Sequence, residues 1–133
     1  MNKVILSVDN DPRDQAMLEQ IVERAHFDAE VRGVPDAQSA IAWLNGSGDY
    51  AEREKFPWPA VLVLDLKLRA SHGLEVLCWL RAQPQLPALP VIVHTDSRHH
   101  SNARAALELG VNAFLNRTSL FENLVEELRT HLS

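Results

Sequence analysis

The longest apolar run of the chain is residues 60–65 (AVLVLD), and it constrains the fold more than any other feature. The run is rich in β-forming residues, and two prolines stand just before it. An apolar run of this kind, without polar alternation, predicts a strand that is buried on both faces, as in a parallel sheet covered by helices. Residues 4–8 have the same character and lead into an Asp-Asn-Asp triplet. We therefore expect an α/β protein.

Strand patterns and amphipathic helical patterns alternate along the whole sequence. In the first helical pattern, for example, Leu18, Ile21, Val22 and Ala25 recur at the spacing that gives one apolar stripe. Parallel strands need right-handed crossovers, so the alternation predicts a five-stranded, doubly wound parallel sheet, a (βα)5 three-layer sandwich of the flavodoxin-like type, in one domain over residues 1–133. The expected strands are residues 4–8, 29–33, 60–65, 91–95 and 112–115, and the expected helices begin near residues 12, 36, 72, 99 and 119.

Composition excludes several classes of protein. A net charge of −5 with scattered cations gives no reason to expect nucleic acid as a partner. The single cysteine, Cys78, excludes an internal disulfide and suits a reducing compartment; we expect it to be a small buried side chain. No apolar stretch approaches the roughly 20 residues that a membrane span needs, and no signal peptide is evident. The expected location is the cytoplasm, away from the membrane.

Polar residues follow the predicted strands at their carboxyl ends, which meet at one edge of a parallel sheet. They are Asp9-Asn10-Asp11, Asp65, Thr95-Asp96 and Arg117. Carboxylate oxygens are the ligands that Mg²⁺ prefers, and a hydroxyl with a guanidinium suits a phosphoryl group. His94, His99 and His100 invite a metal-site interpretation too, but no cysteine or acid completes a tetrahedral set with them.

Over essentially its whole length the sequence resembles the receiver domain of two-component response regulators, the CheY-like fold. The resemblance is carried by residues 4–12, by residues 64–68 together with 73–77, and by residues 90–95 and 110–115. These stretches are specific in combination, because they occur in order and at the family's spacing. The long irregular segment of residues 46–59 also resembles that of small stand-alone receivers partnered with phytochrome-type kinases.

The resemblance implies roles for particular residues. Asp65 matches the aspartate that accepts a phosphoryl group from a kinase histidine. Asp9 matches the first of the paired acids that hold Mg²⁺, and the carbonyl of Lys67 matches the backbone metal ligand. Thr95 matches the hydroxyl that moves toward the acyl phosphate, and Phe114 matches the aromatic residue that moves with it.

Three departures from the family pattern affect this expected site. Asn10 takes the place of the second acid, usually a direct metal ligand, and Arg117 takes the place of the near-invariant lysine. Asp96 follows Thr95 where the family has a small residue. We therefore expect a lowered affinity for Mg²⁺ unless Asp11 or Asp96 turns inward. For Asp11 we favour the alternative, a helix-start residue stabilised by the helix dipole.

These features favour a single-domain receiver that is phosphorylated on Asp65 and signals by protein–protein interaction, with no enzymatic activity beyond self-phosphorylation and slow autodephosphorylation. Its expected partners are a histidine kinase, for which the loop resemblance implies the phytochrome type, and a downstream protein. The resemblance is also compatible with a homodimer through the face of the fourth helix, fifth strand and fifth helix. One alternative is a phosphorylation-independent pseudo-receiver that acts as a binding scaffold.

A third interpretation is enzymatic. Asp9-Asn10-Asp11 after a strand resembles the start of haloacid-dehalogenase-type phosphatases, with Asp9 as nucleophile and Asp11 as acid/base. That family usually has a longer chain with a cap, and the interpretation leaves the matches at Gly73, Thr95 and Phe114 unexplained.

Overall fold

The computed structural model describes residues 3–66, 73–95, 106–116 and 120–132, except the side chains of residues 95, 116 and 120–122. Strands and helices alternate through these residues, as expected. The strands are β1 (Lys3–Val8), β2 (Ala29–Val34), β3 (Val61–Asp65), β4 (Val91–Thr95) and β5 (Ala113–Asn116). The helices are α1 (Pro12–Arg24), α2 (Ala37–Asn45), α3 (Leu74–Arg81), α4, of which residues 106–108 are described, and α5 (Leu120–Leu132).

The five strands form one parallel sheet in the order β2-β1-β3-β4-β5. This confirms the predicted doubly wound fold, and β5 lies one residue later than expected. The register places Val8 opposite Leu64 and Asp65 opposite His94. The carboxyl ends of β1, β3 and β4 are therefore neighbours, so the residues that end these strands converge.

Apolar side chains cover both faces of the sheet. On one face Leu6, Leu64 and Val93 pack with α2 and α3, and on the other Ile5, Val63 and Ile92 pack with α1 and α5. Strand β3 is buried along its entire length, as its uninterrupted apolar run predicted. The expectation for Cys78 was wrong: its side chain is exposed, because α3 turns Val76, Leu77 and Leu80 toward the core instead.

Two helices begin at aspartates that cap them. Asp11 is the N-cap of α1, and its Oδ1 accepts a hydrogen bond of 2.9 Å from the backbone N–H of Arg13. Asp36 caps α2 in the same way through the N–H of Ser39, at 2.7 Å. An N-cap side chain satisfies a backbone donor that the helix cannot. The helix-start interpretation of Asp11 is thus confirmed.

The segment of residues 46–59 is packed against the domain through aromatic and arginine side chains. Trp43, Tyr50 and Phe56 form a cluster with ring centroids 5.1–5.5 Å apart. Arg53 donates hydrogen bonds to the carbonyl oxygens of Trp43, Leu44 and Phe56. The segment is therefore a loop fixed to the domain, and it precedes β3 at the amino end of the strands.

None of the helices in the part of the chain that the structure describes is long and apolar enough to cross a bilayer.

Candidate functional site

Three carboxylates meet at the carboxyl edge of the sheet. Asp9 directly follows β1, Asp65 is the last residue of β3, and Asp14 lies in the first turn of α1. One oxygen from each lies within 4.8 Å of the others. Two of these residues were predicted to converge because parallel strands share an edge. Asp14 was missed.

Asp14 completes the cluster because α1 turns this residue toward the sheet. It precedes Leu18 by four residues and Ile21 by seven, and both of those side chains are buried on the sheet side of α1. Residues at these spacings share one helix face. That periodicity is the signal that could have identified Asp14 from the sequence, since an acid on an apolar stripe stands out.

Asp9 is the most perturbed group of the cluster. Its side chain is only 2% exposed, and its Oδ1 accepts a 2.9 Å hydrogen bond from the backbone N–H of Asp11. Burial, then a side-chain hydrogen bond with Asp14, and also the charge of Asp65 raise the pKa of Asp9 to about 8, against the lowering effect of the Asp11 N–H. Asp9 therefore holds a proton at neutral pH in the absence of a cation, which relieves repulsion among three neighbouring carboxylates.

The donor set fits a hard divalent cation. Three carboxylates supply anionic oxygens, and Oδ2 of Asp9 is buried without a hydrogen-bond partner among the residues that the structure describes. Such cations are bound through one or more carboxylates together with water or phosphate oxygens. A cation at this position would replace the proton on Asp9 and offset the charge that the cluster gathers.

Asp11 does not turn inward to compensate for Asn10. Besides capping α1, its carboxylate pairs with the guanidinium of Arg13 at 2.8 Å, and this contact raises the pKa of Arg13. Asn10 itself is half-buried directly after β1. In the described part of the chain, helix α1 supplies the third acid, Asp14. From the sequence, only Asp11 and Asp96 were expected as acids that could turn inward.

A close approach of two backbones keeps Asp65 in place. The amide of Gly73, just before α3, donates to the carbonyl oxygen of Leu66 at 3.4 Å. A Cβ atom at Gly73 would lie 2.6 Å from the carbonyl oxygen of Asp65 and 2.8 Å from Cα of Leu66. Only glycine allows this approach without displacing the end of β3.

His94 lies beside the cluster and was missed as part of it. It is 3% exposed on β4, and its Nε2 lies 3.6 Å from Oδ2 of Asp9. From the sequence, His94 was considered only together with His99 and His100, which lie outside the described residues. The strand register that places it next to Asp65 could have identified it.

Most of the remaining predicted site residues lie outside the described part of the chain. Lys67, Asp96 and Arg117 lie outside the described residues, and Thr95 is described through its backbone alone, at the end of β4 opposite Asn116. Phe114 is half-buried on β5 and packs against the core on the α2 and α3 side of the sheet. The roles predicted for these residues stay predictions.

Comparison with known proteins gives consistent relatives. The family model described as the response regulator receiver domain matches residues 5–129. Response regulator Rcp1 of Synechocystis sp. is 32% identical over 92% of this chain and 81% of its own length. Its solved Mn²⁺-bound form has a TM-score of 0.81 at 31% identity and covers 96% of this chain and 92% of that one.

Two further solved structures extend the likeness. The phosphorylated cyanobacterial phytochrome response regulator RcpA has a TM-score of 0.87 at 26% identity over 100% of this chain and 96% of that one. The bacteriophytochrome response regulator RtBRR has a TM-score of 0.82 at 39% identity over 97% of this chain and 77% of that one.

Proposed function

The chain belongs to the response regulator receiver domain family of two-component signalling proteins, and from that premise we propose that Asp65 is its phosphorylation site. Asp65 ends a strand that is buried along its length and shares its surroundings with two further carboxylates. That convergence is the single observation that carries the proposal, because phosphoryl transfer to a carboxylate needs a divalent cation close to the acceptor.

The transfer itself needs few covalent steps. An oxygen of the Asp65 carboxylate attacks the phosphorus of a phosphohistidine on the kinase, the P–N bond breaks, and the electron pair leaves with the imidazole. Water later attacks the acyl phosphate and returns the carboxylate and inorganic phosphate. Positioning and charge neutralisation do most of the catalytic work in such transfers.

The proposed cation is Mg²⁺, held by Asp9, Asp65 and Asp14. Asn10 and the carbonyl of Lys67 would add neutral oxygen ligands, following the family resemblance. When bound, the cation neutralises charge on the phosphoryl oxygens. The Mn²⁺-bound form of Rcp1 supports a divalent cation in this family, while the choice of Mg²⁺ is our proposal.

After phosphorylation, Thr95 would hydrogen bond to the acyl phosphate, Arg117 would contact its oxygens, and Phe114 would change its packing. The support for this assignment from the described residues is that β4, which ends at Thr95, pairs with β3, the strand that carries Asp65. An arginine donates in a fixed planar fork, so Arg117 would bind phosphoryl oxygens with a different geometry from lysine.

The proposed kinase partner is of the phytochrome type. Its support is that two of the similar structures, RcpA and RtBRR, are described as phytochrome or bacteriophytochrome response regulators. A downstream protein partner, a homodimer through α4, β5 and α5, and a cytoplasmic location remain predictions from the sequence.

The test is intact mass after incubation with a small phosphodonor and Mg²⁺. Wild type should gain the mass of one phosphoryl group, and Asp65→Asn should gain none. Asp49→Asn, which alters an exposed acid in the loop before β3, is the matched control and should behave as wild type. Absence of any gain in wild type would contradict the proposal and favour the phosphorylation-independent scaffold. The phosphorylated state in which RcpA was solved speaks against that alternative.

A further inference from the structure

His94 is a buried polar side chain on β4. It faces α1 and α5 across a small cavity of about 10 Å³. Met17 and Leu18 of α1 and Leu124 of α5 are among the residues that line it with His94. Burying an imidazole in such a place costs free energy unless its nitrogens find partners. A valine or leucine would fill the same volume on the strand without that cost, so packing alone does not account for a histidine.

The geometry around Asp9 indicates what the imidazole does. Oδ1 of Asp9 already accepts a hydrogen bond from the N–H of Asp11. Oδ2 is buried, accepts no hydrogen bond from the described part of the chain, and lies 3.6 Å from Nε2 of His94. A carboxylate that binds a cation is ionised, and such carboxylates take hydrogen bonds from surrounding donors.

His94 stands behind Asp9 rather than among the ligands. Among the described residues, the group of ligand atoms that lie within 4.8 Å of one another contains oxygens of Asp9, Asp14 and Asp65 and does not include a nitrogen of His94. A movement of about 0.6 Å would bring Nε2 to hydrogen-bond distance of Oδ2. His94 is therefore placed to orient a ligand instead of binding the cation.

We propose that His94 is a positioning residue of the cation site, whose Nε2–H donates a hydrogen bond to Oδ2 of Asp9 when the cation is bound. The inference rests on the proposed function, since it takes Asp9 as a cation ligand. It adds a residue on β4 that fixes the orientation of the Asp9 carboxylate on β1, directly next to Thr95 in the sequence.

The experiment measures Mn²⁺ affinity by electron paramagnetic resonance and calorimetry for wild type, His94→Leu and His94→Gln. His94→Leu should weaken binding by about 10- to 100-fold, the usual effect of removing a hydrogen-bond partner of a metal ligand. His94→Gln should recover most of the affinity, because its amide nitrogen can donate from about the same place. Met17→Leu, which changes the same cavity without a donor, is the control and should bind as wild type.

A second measurement needs no substitution. Nitrogen-15 NMR of the wild-type imidazole, with Mg²⁺ as the diamagnetic ion, should show the Nε2 proton of His94 shift downfield and become protected from exchange on binding. This readout keeps the proposal testable even if His94→Leu does not fold.

The outcomes separate the two proposals. Equal affinities in all variants, a His94→Gln protein as weak as His94→Leu, or an Nε2 signal that ignores Mg²⁺ would each overturn the role of His94 while leaving the cation site intact. A wild-type protein that takes up neither ion would refute the cation site, and the inference about His94 would fall with it.

Discussion

Replacing Asp9 with asparagine should stabilise the metal-free protein, and the gain should grow with pH. Asp9 is buried next to Asp14 and Asp65, and its pKa rises from 3.8 to about 8. The folded state therefore holds a proton that the unfolded chain has already released at neutral pH. The contribution of protonated Asp9 to the free energy of unfolding is fully present below pH 3.8 and is lost progressively as pH rises toward 8.

The size of the effect follows from that shift. A difference of one pKa unit between the folded and unfolded states is equivalent to about 1.4 kcal/mol. The free energy of unfolding should therefore fall by at most about 4 kcal/mol between pH 3.8 and pH 7. Asparagine has nearly the shape of the protonated acid and can donate to Asp14, but it cannot ionise. The free energy of unfolding of Asp9→Asn should therefore exceed that of wild type by at least about 1 kcal/mol at pH 8, and the two should be almost equal near pH 4.

Urea unfolding with a chelator, between pH 4 and pH 9, measures the difference. Asp49→Asn, in the loop before β3, should leave the pH profile of wild type unchanged. With Mg²⁺ present, wild type should regain stability, by about 2.7 kcal/mol at a concentration 100 times its Kd, while Asp9→Asn should regain little. Parallel pH profiles for wild type and Asp9→Asn would refute the reasoning, because they would mean that Asp9 does not hold a proton in the folded state.

Three other substitutions test the site and the fold. Asp14→Asn should weaken Mg²⁺ binding at least about 10-fold while Asp11→Asn leaves it nearly unchanged, by calorimetry; equal effects would contradict the assignment of Asp14 as the third acid. Gly73→Ala should destabilise the protein by about 1–3 kcal/mol in urea unfolding, because the new Cβ meets the backbone of β3, and an unchanged midpoint would show that the backbone yields easily. Arg53→Ala should lower the free energy of unfolding by about 1–3 kcal/mol, because it removes the side-chain donor to the carbonyl oxygens of Trp43, Leu44 and Phe56, of which that of Trp43 also accepts from a backbone N–H. Arg53→Lys should restore only part of this stability; full restoration would mean that the charge matters and the planar fork does not.

The fold was predictable because its signals are local. An uninterrupted apolar strand such as β3 requires a sheet covered on both faces, and the alternation with helical patterns leaves few topologies. The N-caps Asp11 and Asp36 were predictable for the same reason, since a cap depends on residues only two or three positions away. The exposure of Cys78 on α3 was not predictable, because the rotation of a helix about its axis depends on the layer that it packs against.

The same distinction between local signals and long-range packing applies to the candidate site. The sequence by itself determined that Asp9 and Asp65 would meet, since both lie at the carboxyl ends of parallel strands. Only the tertiary structure decided that Asp14 joins them and that His94 stands 3.6 Å from Asp9. These contacts connect a helix face to a sheet edge and one strand to another across the domain. Their distances depend on how closely α1 packs on the sheet and on the strand register, and neither quantity is encoded in any short stretch of the chain.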